Sequence, residues 1–555
     1  MTWKIRQKYR ARFAGEQHLD RRQQGGSLTV CLVYPNRYRI AMSSLGFQAV
    51  YRLLNDHPGI SCERAFLPER DELDEYRQSG TPLLSLESQR PLADFDVIAF
   101  SISFEPDYPA LLQLLDLARI PRRSAGRNAG APLVMAGGAA CTINPEPVAE
   151  FLDLICIGEA EGALSPLLDL LLTAGAVRRN ELLARAAALP GIYVPALQPA
   201  CCDDHHHECP APVQRASASL DGSQRPASSR ILTEETEFSD MYLMEVSRGC
   251  PRGCRFCTSG FTFGRFRQIP YETLVAEVDE GLRHRSKIGL VGAAVSDHHD
   301  IGRLCSYIVS QGGAVSVSSL RLDRLDSAML DALVASGHRT ISLAPEGPSQ
   351  RLRDLIHKNL NRQQILDACD LLVSRDILNL KLYFIIGLPT ETGDDLEEMV
   401  GLIEEIRERV VERARANRRL GEITLSVNPF IPKPFTPLQW CGMESLSSLE
   451  GKVRYLESAF RKLANVNLKV EGLRAAYFQA LLSRGDRRLS AVIEAMASGA
   501  SLNRALKTCG IDAARSVHRT IGLDEVLPWS VIESADDELL RREYHNVFKT
   551  GGTGQ

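Results

Sequence analysis

Long apolar runs are absent from this sequence of 555 residues. No stretch approaches the roughly 18 residues needed to span a bilayer, and the basic, polar residues 1–22 lack the apolar core of a secretory signal. A strong charge of either sign is also absent, since 65 Lys and Arg face 69 Asp and Glu for a net charge of −4. We therefore expect a cytoplasmic protein without a membrane span, and the overall charge does not indicate nucleic-acid binding.

A disulfide framework is missing as well. The 14 cysteines are scattered over the chain, and several of them, such as Cys31, Cys156 and Cys369, lie within apolar runs, which is typical of reduced thiols. The hydrophobic fraction of 44% and the charged fraction of 24% are ordinary for a globular protein. The chain is too long for one core, so we expect two to four domains.

One group of cysteines differs from the others. Cys250, Cys254 and Cys257 follow the spacing C-x3-C-x2-C, with Phe256 just before the last thiol, and the strand-like residues 242–246 lead into this loop. Clusters of the four-iron, four-sulfur type usually bind four thiolates, so a loop with three leaves one iron free to hold a small molecule. A zinc site more often shows paired C-x2-C units or added histidines, and no second pair follows at finger spacing.

This motif resembles the radical S-adenosylmethionine (SAM) superfamily. The resemblance implies that Cys250, Cys254 and Cys257 hold a [4Fe-4S] cluster, whose open iron binds the amino and carboxylate groups of SAM. It also implies that reduction of the cluster, by an electron donor such as flavodoxin or ferredoxin, cleaves SAM to a 5′-deoxyadenosyl radical that abstracts hydrogen from a substrate. In such enzymes the cofactor carries the radical chemistry, and the protein supplies orientation and excludes water.

Residues 28–196 alternate apolar strand-like runs with helical stretches. The strand-like runs lie at residues 28–33, 96–103, 132–136 and 153–157. Such alternation predicts an α/β fold with a doubly wound, Rossmann-like parallel sheet. Ligands of these folds bind beyond the carboxyl ends of the strands, which is where the glycine turns at 137–138 and 158–162 fall.

The same region resembles the cobalamin-binding-like domain that precedes the radical SAM core in many superfamily members. The matching pieces are Phe-Ser-Ile-Ser at 100–103, Ala-Gly-Gly at 136–138 and Gly-Glu-Ala-Glu at 158–161. Domains that bind cobalt through histidine carry Asp-x-His-x-x-Gly after the first strand, whereas residues 36–46 contain no histidine. Two interpretations stay open: cobalamin bound without a histidine ligand, or a Rossmann-like domain kept for packing or substrate recognition.

From residue 242 onwards, strand-like runs alternate regularly with amphipathic stretches. The strand-like runs lie at residues 242–247, 290–295, 314–318, 340–344, 380–386 and 423–428. Six such repeats resemble the partial (β/α)6 TIM barrel of radical SAM cores. Catalytic groups of barrels lie on the loops after the strands, and the cysteine loop follows the first strand.

Several later segments resemble the positions at which the superfamily contacts SAM. Glu346, in Ala-Pro-Glu-Gly, resembles the fourth-strand carboxylate that touches the SAM moiety, with helix capping as its alternative role. Ile385 and Gly387 resemble the fifth-strand segment that packs on adenine, where glycine allows close backbone approach. The resemblance also places Phe256 beside the cofactor.

Two other strand ends carry polar candidates. Asp297 follows the second strand, where the superfamily usually has Gly-Gly-Glu, and it either orients the SAM amino group or caps the following helix. Ser318 and Arg321 follow the third strand, and Arg321 either meets the SAM carboxylate or forms a surface ion pair.

The remaining segments divide the chain. Residues 197–235 form a linker whose Cys/His tract at 201–209 is either a transition-metal site or a solvated insert. Four prolines between 429 and 437 pin an extended loop, either a lip beside the barrel mouth or a strap between domains. The predicted units are an extension at 1–27, the cobalamin-binding-like domain at 28–196, the linker at 197–235, the radical SAM core at 236–445 and a helical region at 446–555.

Together these features predict a radical SAM enzyme that modifies an unknown substrate. The first hypothesis is cobalamin-dependent methylation of an unactivated carbon. The second drops cobalamin and leads to a rearrangement, carbon–carbon bond formation or sulfur insertion, although no second C-x2-C motif for an auxiliary cluster is visible. The third, from another class, is a non-catalytic iron–sulfur or zinc module that binds a partner through its C-terminal helices.

Overall fold

The computed structural model describes residues 2–21, 25–175, 177–198, 211–222, 225–238, 240–318, 320–417, 420–534 and 536–550. The Cys/His tract at 201–209 lies outside these residues. Two α/β units follow one another along the chain, and C-terminal helices pack against both of them.

The first unit extends to residue 197. Its strands are β1 (Gln17–His18), β2 (Leu28–Tyr34), β3 (Ile60–Phe66), β4 (Val97–Ser101), β5 (Leu133–Gly137), β6 (Leu154–Cys156) and β7 (Ile192–Tyr193). Its helices are α1 (Thr2–Ala14), α2 (Tyr38–Met42), α3 (Leu45–Asp56), α4 (Arg70–Ser79), α5 (Tyr108–Ala118), α6 (Ala139–Ile143), α7 (Ala160–Thr173) and α8 (Arg179–Ala186). Short 3-10 helices span Leu92–Asp94, Glu105–Asp107, Ser124–Gly126, Glu146–Phe151 and Pro195–Leu197.

Six of these strands form one sheet in the order β3-β2-β4-β5-β6-β7. Its neighbouring strands run parallel except β6 and β7. Strands β2 and β6 are almost entirely buried, as expected of a parallel sheet covered by helices. The strand order reverses between β2 and β4, and such a switch point is where doubly wound sheets bind ligands. The predicted doubly wound sheet is confirmed.

The N-terminal extension belongs to this unit because a buried network of charged side chains joins the two. The guanidinium of Arg64 lies 2.6 Å from Glu16 Oε2 and 2.7 Å from Glu87 Oε1, with all three side chains fully buried. Burial alone raises the pKa of Glu16, but Arg64 and further hydrogen bonds outweigh it and hold that pKa at about 2.

The second unit and the C-terminal region contain the remaining elements. The strands are β8 (Ile231–Leu232), β9 (Met241–Glu245), β10 (Ser247–Arg248), β11 (Arg267–Gln268), β12 (Lys287–Val291), β13 (Ala314–Val317), β14 (Thr340–Glu346), β15 (Asn379–Ile386), β16 (Ile423–Pro429) and β17 (Val466–Val470). The helices are α9 (Tyr271–Leu282), α10 (Ile301–Ser310), α11 (Ser327–Ala335), α12 (Gln350–Leu355), α13 (Arg362–Ser374), α14 (Gly393–Asn417), α15 (Leu446–Phe460), α16 (Leu473–Arg484), α17 (Leu489–Ala497), α18 (Leu502–Cys509), α19 (Ala513–His518) and α20 (Asp537–Thr550). Short 3-10 helices span Thr258–Gly260, Val295–Asp297 and Pro528–Val531.

The second unit is an open, partial barrel of parallel strands. Strands β9, β12 and β13 form one row, and β14, β15, β16 and β17 form the next, with a parallel bridge between Leu320 and Leu343 joining the two rows. A strand is present at each of the six predicted places, but the second was predicted at 290–295 and spans Lys287–Val291. Strand β17 adds a seventh within the region predicted as helical. Only Val466 of its five residues is buried, and so short a pattern does not distinguish a strand from the helices beside it.

Strands β14, β15 and β16 alternate between buried and half-buried residues. Successive side chains of a strand point to opposite faces, so the buried set packs against the outer helices and the half-buried set faces the barrel interior. Glu346 and Ile385 belong to the half-buried set. Two of the predicted SAM-contacting side chains therefore face inward.

The proline-rich segment connects the barrel to the first unit. Lys433 Nζ lies 2.6 Å from Glu105 Oε1, which follows strand β4, so the strap interpretation is confirmed. Helix α17 packs against α5 on the same side. Among the described residues, none of the helices combines the length and hydropathy that a membrane crossing requires.

Candidate functional site

The cysteine loop leaves the barrel directly after strand β9. Strands β10 and β11 pair in antiparallel fashion and close the loop at its base. Gly249 opens the loop with φ of 75°, and a Cβ there would lie 2.7 Å from the Arg265 carbonyl oxygen, so glycine is required. Cys250, Cys254 and Cys257 thus lie on one loop at the carboxyl end of the first barrel strand.

Arg255, between the second and third cysteines, anchors this loop. Its backbone N–H donates to the Ile356 carbonyl at 3.0 Å. Its guanidinium donates to the Leu355 carbonyl at 2.6 Å and to Glu543 Oε2 at 3.0 Å. The loop is therefore tied both to the end of α12 and to helix α20, which restricts the positions of the thiols.

The three thiols lie close enough to influence one another's ionisation. Burial raises the pKa of Cys254, while Lys358 and Arg321 oppose that rise. Burial also raises the pKa of Cys250, again with Arg321 in opposition, and Cys257 raises the pKa of both thiols. Lys358 and Arg321 are thus cations placed to offset the negative charge of bound thiolates.

The donor set fits an iron–sulfur cluster. Thiolates are the ligands of [4Fe-4S] clusters, and Cys250, Cys254 and Cys257 present three of them on one anchored loop with cations nearby. In the part of the chain that the structure describes, no three His, Cys, Asp or Glu side chains converge as the ligands of a single metal ion would.

Asp297 lies beside the cysteine loop among three arginines. Arg252 donates to its Oδ1, Arg324 Nε lies 3.8 Å from Oδ1, and Arg321 Nε lies 3.9 Å from Oδ2. The Asp297 side chain is 5% exposed, and its Oδ2 has no hydrogen-bond donor among the described residues. Such an oxygen can accept a hydrogen bond from an ammonium group. The alternative capping role is wrong, because helix α10 begins after Asp300.

Arg321 is engaged by carboxylates inside the site. Its Nε lies 3.0 Å from Asp323 Oδ1, and the side chain is 15% exposed. The predicted ion pair is therefore present, but it lies next to the cysteine loop and not on the outer surface. Ser318 is exposed directly after strand β13, and none of the described contacts joins it to Arg321 or to the thiols.

Glu346 ends strand β14 in a left-handed conformation, with φ of 65°. The pairing of β14 with β15 shifts register between Leu343 and Glu346. Lys358 Nζ lies 3.5 Å from Glu346 Oε1 and also faces Cys254. Strained backbone at a residue other than glycine gathers at functional sites. The capping alternative for Glu346 is wrong, because Ser349 caps helix α12.

Phe256 and Ile385 pack against one small apolar cluster beneath the site. Gly387 follows at φ of 75°, where a Cβ would lie 2.8 Å from Leu449 Cδ2 and 3.0 Å from Glu444 Oε2. Glycine at 387 is therefore required by its own backbone and by the start of helix α15. The predicted close approach to adenine is not needed to explain it.

Sequence reasoning missed three charged members of this site: Arg252, Asp323 and Lys358. Arg252 lies inside the cysteine motif, and its positive charge at that place could have identified it as a member of the site. Lys358 lies in the turn after α12, about a hundred residues from the thiol that it faces, and no local pattern marks such a contact.

A cavity of about 530 Å³ opens between the sheet of the first unit and the cysteine loop. Its walls are mainly apolar and come from strands β2, β4 and β5 and helices α3 and α7. Ser44 and Gly46 line it at the start of helix α3, and Gly249 and Ser259 line it on the cysteine loop. It therefore lies at the carboxyl ends of the strands, where doubly wound sheets bind ligands.

Two ion pairs hold the first unit against the base of the cysteine loop. Arg267 Nη2 lies 2.5 Å from Glu159 Oε1, and Arg248 Nη2 lies 3.0 Å from Glu161 Oε1. The motif at 158–161 thus positions the cysteine loop relative to the cavity.

Comparison with protein families matches both units. Residues 46–195 match the model described as radical SAM proteins, N-terminal, and residues 244–403 match the model described as the radical SAM superfamily. An uncharacterised protein of Methanocaldococcus jannaschii is 29% identical over 86% of this chain and 93% of its own length.

Other similarities are more partial. The threonylcarbamoyladenosine tRNA methylthiotransferase MtaB of Aquifex aeolicus is 22% identical over 35% of this chain, which spans 46% of that relative. The solved structure of the cobalamin-dependent SAM radical enzyme OxsB, with aqua-cobalamin and SAM bound, is 16% identical with a TM-score of 0.47 over 70% of this chain and 56% of that chain. The matched family models, with the cysteine motif inside the second of them, show that this chain belongs to the radical SAM superfamily, a membership that implies a [4Fe-4S] cluster and SAM.

Proposed function

We propose that this protein is an iron–sulfur enzyme that reductively cleaves SAM to a 5′-deoxyadenosyl radical and modifies a substrate bound between its two α/β units. The observation that carries the proposal is the anchored loop with Cys250, Cys254 and Cys257, which faces two cations and Asp297 Oδ2, an oxygen that accepts no hydrogen bond from the described residues.

Each polar group has a role that follows from its charge. The three cysteines hold the cluster, and the cluster and SAM supply electron transfer and the radical when they are bound. Asp297 Oδ2 accepts a hydrogen bond from the SAM ammonium, and Arg321 pairs with the SAM carboxylate. Holding both ends of the amino acid portion in this way orients the sulfonium for cleavage.

Changing Asp297 to Asn is expected to raise the KM for SAM by about 10–100-fold, since a hydrogen bond to a charged group contributes about 1.5–3 kcal/mol. We expect a smaller effect on kcat, because the interaction is made already in the bound ground state. The measurement is 5′-deoxyadenosine formation against SAM concentration with the reconstituted, reduced protein.

Asp323→Asn is the matched control for this variant. Asp323 contacts the same Arg321 at 3.0 Å, with its second oxygen also bonded to that guanidinium at 3.2 Å. An equal rise in KM for both variants would mean that Asp297 only positions the arginines.

For the reaction that follows hydrogen abstraction we propose cobalamin-dependent methylation as the first candidate. The apolar cavity of about 530 Å³ supports it, because this cavity joins the switch point of the sheet to the cysteine loop. A bound corrinoid would supply methyl transfer there. The first βα turn offers Ser44 to the cavity and contains no histidine.

The missing histidine favours the second candidate, a radical reaction without cobalamin. Rearrangement, carbon–carbon bond formation and sulfur insertion belong to this class. In that case the first unit positions the substrate, and the cavity holds part of it.

Protein purified anaerobically from cells supplied with cobalamin is expected to contain about one corrinoid per chain alongside iron, because the apolar cavity opens at the switch point of the sheet. Gly46→Phe should lower the corrinoid content at least about tenfold by filling the cavity, because an added Cβ at Gly46 meets only Ser44 Oγ at 3.9 Å. Absorption spectra and mass analysis measure both contents.

Gly401→Phe is the control for that variant, since a Cβ at this helical glycine meets nothing within 4 Å and lies away from the cavity. Iron without corrinoid in the wild-type protein would contradict methylation and favour the second candidate.

A further inference from the structure

The inner face of the barrel is polar where strands β14, β15 and β16 lie side by side. The interior of a TIM barrel is usually filled by layers of branched apolar side chains. Several of the inward-facing, half-buried positions on these three strands are instead polar: Ser342, Lys381, Tyr383, Ser426 and Asn428. Such an interior is not an apolar core, and its polar groups need water or a polar ligand as partners.

The pairing of the strands brings three of these side chains together. Lys381 pairs with Ser342 on β14 and with Thr424 on β16. Tyr383 pairs with Ser426 on β16, and neighbouring strands lie about 4.8 Å apart. The Lys381 ammonium lies 4.8 Å from the centre of the Tyr383 ring. Lys381, Tyr383 and Ser426 therefore form one group on the inner face, the Lys381 group.

The polar atoms of the Lys381 group can be reached from the barrel interior. All three residues are half-buried, so each side chain keeps accessible surface. Lys381 Nζ, Tyr383 Oη and Ser426 Oγ have no hydrogen-bond or ion-pair partner among the described residues, and none of them is among the atoms that are buried without a partner. An ammonium and two hydroxyls are therefore available to a ligand.

The strand neighbours of the Lys381 group favour an anion. Ser426 pairs with Lys469 on strand β17, a second cation without an ion-pair partner in the part of the chain that the structure describes. Lys287 also faces inward, on β12. Both residues that pair with Lys381 carry hydroxyl groups and no charge.

The carboxylates that face the interior from the described barrel strands are already paired. Glu245 lies 2.8 Å from Arg248, and Glu346 lies 3.5 Å from Lys358. Two further carboxylates lie directly beyond the strand ends: Glu422 before β16 and Glu471 after β17. Neither of these two is level with Lys381 or Tyr383 in the pairing of the strands. The positive charge of the middle of the barrel is therefore not neutralised by its own strands.

We propose that the barrel interior binds a carboxylate or phosphate group of the substrate through Lys381, Tyr383 and Ser426. The assignment of this anion to a substrate rests on the proposed radical SAM function. An ammonium and two hydroxyls donate hydrogen bonds to the oxygens of such a group, and Lys469 adds a second positive charge. Lys381 precedes Ile385 on β15 by about 13 Å, so the anionic group lies deep in the barrel and the rest of the substrate extends toward the cysteine loop.

Chemical modification of Lys381 tests the site directly. The reconstituted full-length protein is treated with N-hydroxysulfosuccinimide acetate in phosphate, acetate or chloride at constant ionic strength, and peptide mass analysis measures the acetylation of each lysine. Phosphate or acetate is expected to slow the acetylation of Lys381 at least about threefold relative to chloride, because a bound anion covers the ammonium. The more effective anion identifies the substrate group as phosphate or carboxylate.

Lys507 is the internal control, because it is exposed on helix α18 and should react at the same rate in all three salts. Equal protection of Lys507 and Lys381 would overturn the proposal. So would a Lys381 that reacts equally in all three salts, or one that does not react at all.

Lys381→Met is expected to weaken binding of the effective anion at least about tenfold, and Tyr383→Phe about threefold. Lys381→Arg should retain binding, because it keeps the charge. The measurement is the rise in Tm with anion concentration, since binding to the native state stabilises it. Lys507→Met is the matched control for the lost charge. An equal loss of the anion effect in the control, or its retention in Lys381→Met, would contradict the assignment.

A purely structural role for Lys381 predicts a different result. If the lysine only stacks on the Tyr383 ring, Lys381→Met should lower the Tm in chloride, and neither anion should raise the Tm of the wild type. Formation of 5′-deoxyadenosine by the wild-type protein tests the radical function separately. An anion site without SAM cleavage and SAM cleavage without an anion site are therefore distinguishable.

Discussion

Replacement of Cys254 by Ala is expected to abolish cluster binding and SAM cleavage. Cys254 is the most buried of the three thiols, with 8% exposure, and no other described cysteine is part of the anchored loop except Cys250 and Cys257. Groups that only orient metal ligands contribute about 10–100-fold, so loss of a ligand should lower 5′-deoxyadenosine formation by more than about a hundredfold. Iron analysis and 5′-deoxyadenosine assays under anaerobic conditions measure the two effects.

Cys509→Ala serves as the control, because Cys509 is a half-buried free thiol that lies on helix α18, outside the cysteine loop. Full turnover in Cys254→Ala would refute the cluster assignment. An inactive wild-type protein that nevertheless binds iron would instead support the third hypothesis, a non-catalytic module.

The second large effect is expected from Lys433→Met, at the strap between the two units. Lys433 Nζ lies 2.6 Å from Glu105 Oε1, and the Glu105 side chain is 4% exposed. Glu105 also accepts hydrogen bonds from Ser483 at 2.7 Å and from Gln479 at 3.2 Å. Removing one partner of a buried ion pair leaves an uncompensated charge, so we expect a loss of ~3–5 kcal/mol in the free energy of unfolding. Urea denaturation followed by circular dichroism measures it.

The double variant Glu105→Gln/Lys433→Met is the control for that experiment. It removes both charges and keeps one of the two acceptor oxygens, which bind Ser483 and Gln479 separately, so a large part of the lost stability should return. If the double variant is as unstable as Lys433→Met, the loss comes from packing of the strap and not from the buried charge.

The pH dependence of stability further tests the ion pair of Glu105 and Lys433. Burial alone raises the pKa of Glu105, but Lys433 and the hydrogen bonds outweigh it and leave that pKa below its ordinary value. The wild-type pair therefore contributes stability above the unfolded pKa of a glutamate, and this contribution is lost as pH falls through the lower folded pKa. In Lys433→Met the Glu105 carboxyl group is protonated more readily. The difference in the free energy of unfolding between this variant and the wild type should therefore become smaller as pH falls.

The sheet of the first unit and the cysteine loop were predictable because their signals are local. Apolar strands flanked by glycine turns mark a parallel sheet within short windows of sequence, and the three cysteines lie within eight residues of one another. Strand β17 was not predicted because its local signal is weak. Its five residues carry only one buried position, and its pairing with β16 at the edge of the sheet appears only in the folded chain.

The roles of individual polar residues were less predictable. Asp297 and Glu346 were recognised as candidates, but each had helix capping as an alternative. The positions of Asp300 and Ser349 at the starts of α10 and α12 exclude the capping role, and the contacts with SAM stay a prediction. At Gly387, an added Cβ would come too close to Leu449 and Glu444. The local motif does not reveal this steric requirement, because both neighbours lie far along the chain.

By itself, the sequence determined the superfamily and the alternation of strands and helices, and it predicted the three cluster ligands, because each is encoded by residues close together in the chain. Only the tertiary structure decided that Lys358 faces Cys254 and that Lys433 contacts Glu105. These contacts join segments that are far apart in sequence, and their energies depend on burial and on distances between charges. Both quantities arise only when the chain has folded.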